Sequence, residues 1–152
     1  MFNIELRNKV LKIKLVIFDV DGVMTDGSII YDEDGREFKT FNAKDGQGIV
    51  MLTRCGIYTA IVTARENNTV KHRFQNLGMS DLYMGQKNKL TAVKELLAKY
   101  NLDFSQIAYM GDDLPDLCVL KEAGLACCPA DAVKQVKMFV ILFPQNAAEE
   151  AQ

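Results

Sequence analysis

The run Leu15-Val16-Ile17-Phe18, with the Asp19-Val20-Asp21-Gly22 that ends it, constrains this fold more than any other stretch. A short apolar run bounded by charge and glycine reads as a strand buried on both faces. Such a strand lies inside a sheet, with a layer of structure above it and another below. Side chains at i and i+2 of an extended chain point the same way. Asp19 and Asp21 therefore face one spot past the strand's carboxyl end, where open α/β sheets bind ligands. Two close carboxylates repel and call for a cation or a shared proton. A solvated acidic turn after a strand would carry the same two residues, so the pair alone does not decide.

The rest of the chain repeats the pattern. Residues 57–62, 81–84, 107–110, 125–128 and 138–143 read as further strands. Helical patterns fall between them: about 46–55 with Asp45 as its cap, 66–77 stopped by Gly78, one opened by Lys87-Asn88-Lys89 and running to about Tyr100, a stretch to about Ala123, and 131–137. Strands alternating with helices give an α/β fold, a doubly wound, Rossmann-like parallel sheet covered on both faces. No repeat or linker divides the chain, so one domain over 1–152 is expected. Asp32-Glu33-Asp34-Gly35 lies between two β-rich runs and marks a hairpin over about 28–41. Apolar groups on both of its faces suit a partner subunit or packing on its own domain. Residues 1–13 read as an amphipathic lead-in, with Ile4, Leu6, Val10 and Leu11 padding one sheet edge. The Ala/Glu-rich tail 144–152 is expected to be loose.

Composition excludes several classes. A formal charge of −2 gives no electrostatic footprint for nucleic acid or an anionic membrane. No apolar run reaches the length of a membrane span, and Met1-Phe2-Asn3-Ile4-Glu5 lacks a signal peptide's form. A cytoplasmic location is expected. Cys55, Cys118, Cys127 and Cys128 form no Cys-x-x-Cys pair, and His72 is the only histidine. Reduced, mostly buried thiols fit better than a zinc site, and hydrolysis by a His-dependent triad has little to work with.

Polar groups stand at the carboxyl ends of three expected strands: Asp19 and Asp21, Thr63 and Arg65, and Asp112, Asp113 and Asp116. Lys89 opens the helix after a fourth. A parallel sheet brings all these ends to one edge. Carboxylates hold a hard cation such as Mg²⁺, lysine and threonine donate to phosphate oxygens, and a remaining carboxylate can attack phosphorus while its neighbour moves protons. Each part alone has a plainer reading: a helix cap for Thr63, Asp112 or Asp113, a solvated charge for Arg65 or Lys89. Their coincidence, in this order, carries the argument.

Asp19-Val20-Asp21-Gly22-Val23, Thr63, Lys89 and Gly111-Asp112-Asp113 with Asp116 resemble, in turn, the four motifs of the haloacid dehalogenase superfamily of phosphohydrolases. The resemblance spans about residues 12–140 and implies that Asp19 is the nucleophile and Asp21 the general acid and base. It implies Mg²⁺ held by Asp19, the Asp21 backbone carbonyl and Asp112, with Asp113 and Asp116 orienting that shell. Thr63 and Lys89 would bind the phosphoryl oxygens. The hairpin and one helix fill the space between Asp19 and Thr63, leaving no room for a cap domain. Asp19 to Gly27, the hairpin, Asp45-Gly46-Gln47-Gly48-Ile49 and Gly85-Gln86-Lys87-Asn88-Lys89 are similar to the 3-deoxy-D-manno-octulosonate 8-phosphate phosphatases. That family forms homotetramers whose hairpins meet in a central barrel. It releases phosphate from an anionic sugar acid in lipopolysaccharide precursor synthesis. The resemblance implies that Lys44, Asp45 and Arg65 touch the sugar or its carboxylate.

One departure stands out. The family continues past its last strand into a Gly-Gly-x-Gly-Ala-x-Arg-Glu segment, whereas here Val140-Ile141-Leu142-Phe143 gives way to Pro144-Gln145-Asn146 and no arginine follows Arg73. Phosphatase chemistry with altered substrate affinity or faster product release is the expectation. Three other readings compete: a phosphatase of a nonulosonate 9-phosphate, a noncatalytic oligomerisation module, and a phosphoacceptor receiver domain. The module predicts loss of a catalytic group, yet Asp19, Asp21, Lys89 and Asp112 are present. The receiver places its acceptor Asp on a later strand.

Overall fold

The structure is a computed structural model that describes residues 4–140 of the 152-residue chain. Helix α1 (Ile4–Lys12) leads into strand β1 (Leu15–Phe18). A hairpin follows, β2 (Ile30–Tyr31) and β3 (Glu37–Phe38), then helix α2 (Ala43–Arg54). Next come β4 (Tyr58–Val62), α3 (Asn68–Leu77), β5 (Asp81–Tyr83) and α4 (Lys89–Tyr100). The described chain ends with β6 (Ile107–Met110), α5 (Leu117–Leu120), β7 (Leu125–Cys127) and α6 (Lys134–Lys137). The five strands of the main sheet lie in the order β5-β4-β1-β6-β7, all parallel.

Alternation along the strands divides the core into two layers. Leu15 and Ile17 of β1, Ala60 and Val62 of β4 and Tyr109 of β6 pack on one side with Val93 and Leu96 of α4. Ile61 points to the other side, where Ile49 of α2 and Val70 and Leu77 of α3 meet Val20 and Met24. Leu15 and Ile17 are fully enclosed while Val16 and Phe18 are half-buried, so one face of β1 is tighter than the other. Truncating Leu15 to alanine would cost about 2–5 kcal/mol.

The chain passes from β1 outward through β4 and β5, then returns to β6 on β1's other side. The strand order thus reverses between β1 and β6, and ligands of open α/β sheets bind at the carboxyl ends beside such a reversal. Phe18 is level with Met110, and the Asp19 amide donates to the Met110 carbonyl at 3.0 Å. The loops bearing Asp19 and Asp112 therefore leave the sheet side by side.

Local chemistry explains where elements start and stop. The hairpin forms around Asp34-Gly35, with Gly35 at φ +77° and Tyr31 opposite Glu37. Helix α2 begins earlier than residue 46 because Asn42 caps it, its side chain accepting from the Lys44 amide at 2.8 Å, and Asp45 falls within the first turn instead. Helix α1 forms, but only Leu6 packs against the sheet, while Ile4, Val10 and Leu11 are exposed. Pro115 sits in a tight single turn, Leu114–Asp116, so the following helix is short. Helix α6 starts at Lys134 rather than 131, and residues 138–140 form no strand. The rest of that expected strand and the tail 144–152 lie outside the described residues. All four cysteines are free, but Cys55 and Cys118 are exposed, so the expectation of mostly buried thiols holds only for Cys127 and Cys128. No helix among the described residues is long and apolar enough to cross a membrane.

Candidate active site

Asp116 is the anchor of the site. It is fully buried and accepts four hydrogen bonds: Lys89 Nζ at 2.7 Å and the Tyr109 hydroxyl at 2.6 Å on Oδ1, and the Asp112 and Asp113 amides at 3.1 and 3.2 Å on Oδ2. Burial, with Asp116 beside it, drives the Tyr109 phenol well above its usual range, so it keeps its proton and donates it to Asp116. The two amide bonds fold the Gly111–Asp116 loop around one carboxylate. A Cβ at Gly111 would lie 2.4 Å from Asp116 Cγ, so no other residue fits there. Asp113 caps the turn, accepting from the Leu114 amide at 2.7 Å.

Lys89, at the start of α4, places its ammonium between two carboxylates, 2.7 Å from Asp19 Oδ2 and 2.7 Å from Asp116 Oδ1. Burial would depress its pKa, but Asp19 and Asp116 outweigh burial and hold the charge on. Asp19 is 8% exposed, and its other oxygen accepts from the Val20 amide at 2.7 Å. Burial pushes the Asp19 carboxyl up to about 6 despite the pull of Lys89. Asp112 is pushed up to about 7, first by burial and then by Asp19, Asp116 and Asp113. Gly22, at φ +84°, lies under the Asp112 carboxylate, where a Cβ would come 2.0 Å from Oδ2.

Carboxylate oxygens of Asp19, Asp112 and Asp116 lie within 4.8 Å of one another. Three acids face one lysine. The donor set is all oxygen and short of positive charge, which suits a hard divalent cation. Asp116 already accepts four hydrogen bonds, so Asp19 and Asp112 are the pair able to hold a cation. Thr63, 2% exposed at the end of β4, completes the wall. Asp19, Asp21, Thr63, Arg65, Lys89, Asp112, Asp113 and Asp116 line one cleft of about 280 Å³. The structure thus brings together eight of the residues singled out from sequence. Lys44 and Asp45 it does not: both are exposed on the first turn of α2, and Asp45 lines a neighbouring groove with Thr25, Asp26 and Phe41.

Three residues escaped the sequence reading. Tyr109 looked like core, although a buried tyrosine hydroxyl needs a partner, and that was the available signal. Glu37 and Lys39 fall within the expected hairpin, and nothing in the sequence singles them out. The Lys39 ammonium, its side chain 1% exposed, pairs with Asp21 and, at 2.6 Å, with Glu37. Glu37 also holds Arg65 at 2.5 Å, and the Arg65 guanidinium donates to the Tyr31 hydroxyl at 3.3 Å.

A parallel sheet, an Asp-x-Asp loop at its strand reversal and a lysine–acid cluster beside it define a class of hydrolase. Residues 78–146 match the model of haloacid dehalogenase-like hydrolases. The structure superposes on 3-deoxy-D-manno-octulosonate 8-phosphate phosphatase from Moraxella catarrhalis, solved with magnesium ion, phosphate ion and a KDO molecule. The TM-score is 0.91 at 39% identity, covering 93% of this chain and 82% of that one. This chain belongs to the haloacid dehalogenase-like hydrolases. Within them it is similar to the octulosonate phosphatases in particular. It is 46% identical over 120 residues to the Yersinia pestis enzyme KdsC, covering 79% of this chain and 64% of that protein. The cobalt-bound phosphatase of Haemophilus influenzae matches with a TM-score of 0.85 at 37% identity, over 89% of this chain and 79% of that one. The chain spans just under two thirds of the length of the curated relatives it matches.

Proposed function

We propose that this chain, read as one domain over 1–152, is a Mg²⁺-dependent phosphoric monoester hydrolase. Its substrate would be 3-deoxy-D-manno-octulosonate 8-phosphate, cleaved to the free sugar acid and phosphate in lipopolysaccharide precursor synthesis. The observation that carries the reading is the pairing of Asp19 with Lys89 and its crowding with Asp112 in one cleft. A similar protein holds magnesium, phosphate and the sugar acid.

The residues divide the work. Asp19 and Asp112 would hold Mg²⁺, with the Asp21 backbone carbonyl as a third donor. When bound, the cation neutralises charge on the phosphoryl oxygens and keeps both carboxylates ionised. An Asp19 oxygen attacks phosphorus, the bond from phosphorus to the ester oxygen breaks, and Asp21 gives that oxygen a proton. Water then attacks the aspartyl-phosphate, Asp21 takes the water's proton, and phosphate leaves with Asp19 restored. Lys89 and the Thr63 hydroxyl donate to the phosphoryl oxygens as charge builds there. Asp116 and Asp113 hold the loop that carries Asp112. Arg65, at the rim of the cleft, offers the cation that an anionic sugar requires. Lys44 and Asp45 stay in the proposal as contacts for the distal end of a long sugar chain: Asp45 lines a groove that includes Asp26, next in sequence to Gly27 of the cleft, and Lys44 precedes Asp45 on the same turn of α2.

The hairpin exposes Ile29, Ile30, Tyr31 and Phe38. That apolar surface supports a homotetramer assembled through hairpins; the proposal also places the chain in the cytoplasm, without nucleic acid or membrane as partner. Phosphate release from a panel of sugar-acid phosphates, with Mg²⁺ and with a chelator, tests the reading. Turnover of the eight-carbon ester above the nine-carbon esters, lost with chelator and in Asp19→Asn, is expected. Equal turnover in Asp19→Asn would refute it. Light scattering giving a monomer would remove the tetramer alone.

A further inference from the structure

We propose that Lys39 is a positioning residue for Asp21, the group that moves protons in the proposed reaction; the inference rests on the phosphatase reading. Glu37 and Lys39 stand two apart on an extended segment, so both turn to the side where Asp21 and Arg65 lie, while Phe38 between them points out and is 51% exposed. Lys39 Nζ donates to Asp21 Oδ1 and to Glu37 Oε1, and Glu37 Oε2 accepts from Arg65. The result is a row of alternating charge, Asp21, Lys39, Glu37, Arg65, running from the site's acid across the hairpin to the end of β4.

Lys39 does not line the cleft, whereas Asp21 and Arg65 do. Its side chain is 1% exposed and paired with Asp21, so it is not offered to a substrate; it acts through the carboxylate it holds. Asp21 sits on a loop, lines the cleft and has its side chain 26% exposed, and Lys39 is what fixes its Oδ1. Burying an ammonium is unfavourable unless it is paired and hydrogen-bonded, and here two carboxylates satisfy it. The hairpin is thereby part of the catalytic geometry, because it delivers both Lys39 and the Glu37 that steadies it.

The leaving group separates positioning from mere support. An alkyl ester such as 3-deoxy-D-manno-octulosonate 8-phosphate expels an alkoxide that needs a proton as it departs. p-Nitrophenyl phosphate expels a stabilised anion that does not. kcat/KM reports the steps through formation of the phosphoenzyme, so only the alkyl ester should register a misplaced Asp21. General acid catalysis contributes about 10²–10⁴-fold. Lys39→Met is therefore expected to lower kcat/KM on the octulosonate ester by roughly 100-fold and on the aryl ester by little, with Lys39→Arg recovering most of the loss. In an Asp21→Asn background, Lys39→Met should add nothing further, since both act through one carboxylate. Glu37→Gln, which loosens Lys39 without removing it, should give a smaller loss of the same selectivity and serves if Lys39→Met fails to fold. Equal losses on both esters, or an effect of Lys39→Met that adds to that of Asp21→Asn, would overturn the proposal. A wild-type protein that releases phosphate from neither ester with Mg²⁺ present would bring down the phosphatase reading itself.

Discussion

Replacing Asp116 with asparagine changes one oxygen for an amide nitrogen and leaves the volume intact, yet neither orientation of the amide fits its surroundings. With nitrogen in place of Oδ1 it faces the Lys89 ammonium at 2.7 Å and the Tyr109 hydroxyl at 2.6 Å. With nitrogen in place of Oδ2 it faces the amides of Asp112 and Asp113 at 3.1 and 3.2 Å. Tyr109 can turn its hydroxyl to accept, but the ammonium and the amides cannot. A buried donor left unsatisfied costs about 1–3 kcal/mol, and removing one partner of a buried ion pair about 3–5 kcal/mol. A loss of about 3–5 kcal/mol is therefore expected from Asp116→Asn. For a chain of this size that corresponds to a fall in Tm of roughly 10 °C, at about 2–4 °C per kcal/mol. Urea and thermal unfolding of the metal-free protein measure it directly. The same change frees the loop carrying Asp112, so Mg²⁺ affinity, followed by calorimetry, should fall with stability. A loss below about 1 kcal/mol would show that Asp116 does not anchor the site.

Two further outcomes follow from the geometry. In the folded, metal-free protein Asp19 and Asp112 hold protons up to about pH 6 and 7, whereas an unfolded aspartate releases its proton near pH 4, at about 3.9. The folded state binds the excess protons between those values, so these two groups weaken the metal-free fold as pH rises through that window. Mg²⁺ competes with the same protons, so its stabilising effect in thermal unfolding should be larger at about pH 8 than at about pH 5.5; an equal shift at both would contradict the assignment. Gly22→Ala combines φ +84° with a Cβ 2.0 Å from Asp112 Oδ2. It should weaken Mg²⁺ binding at least about tenfold, the low end for displaced support of a ligand, and unchanged affinity by calorimetry would refute the cradle.

The parts legible in sequence are those set by local pattern and by the geometry of parallel sheets. Apolar runs placed β1, β4, β5, β6 and β7 within a residue or two, because burial on a sheet leaves little choice of side chain. Parallel strands align their carboxyl ends, so Asp19, Thr63, Lys89 and Asp112 could be grouped before any coordinates. Lys39 could not. A lysine between Phe38 and Thr40 reads as a solvated position of a hairpin, and only the folded hairpin buries it against Asp21, eighteen positions away. Asn42 and Asp45 are both good caps within one turn, and the choice between them depended on which side chain reached a free amide. The exposed side of α1 illustrates the converse: Ile4, Val10 and Leu11 have helical spacing, but the sheet edge offers room only for Leu6.

The central claim is that Asp19 takes the phosphoryl group. Rapid acid quench of the protein with Mg²⁺ and a substrate carrying labelled phosphate, followed by peptide mapping, tests it most directly. Label on the peptide containing Asp19, absent in Asp19→Asn and removable by hydroxylamine, is the expected result. Steady release of phosphate with no labelled peptide at any quench time, and undiminished in Asp19→Asn, would contradict it.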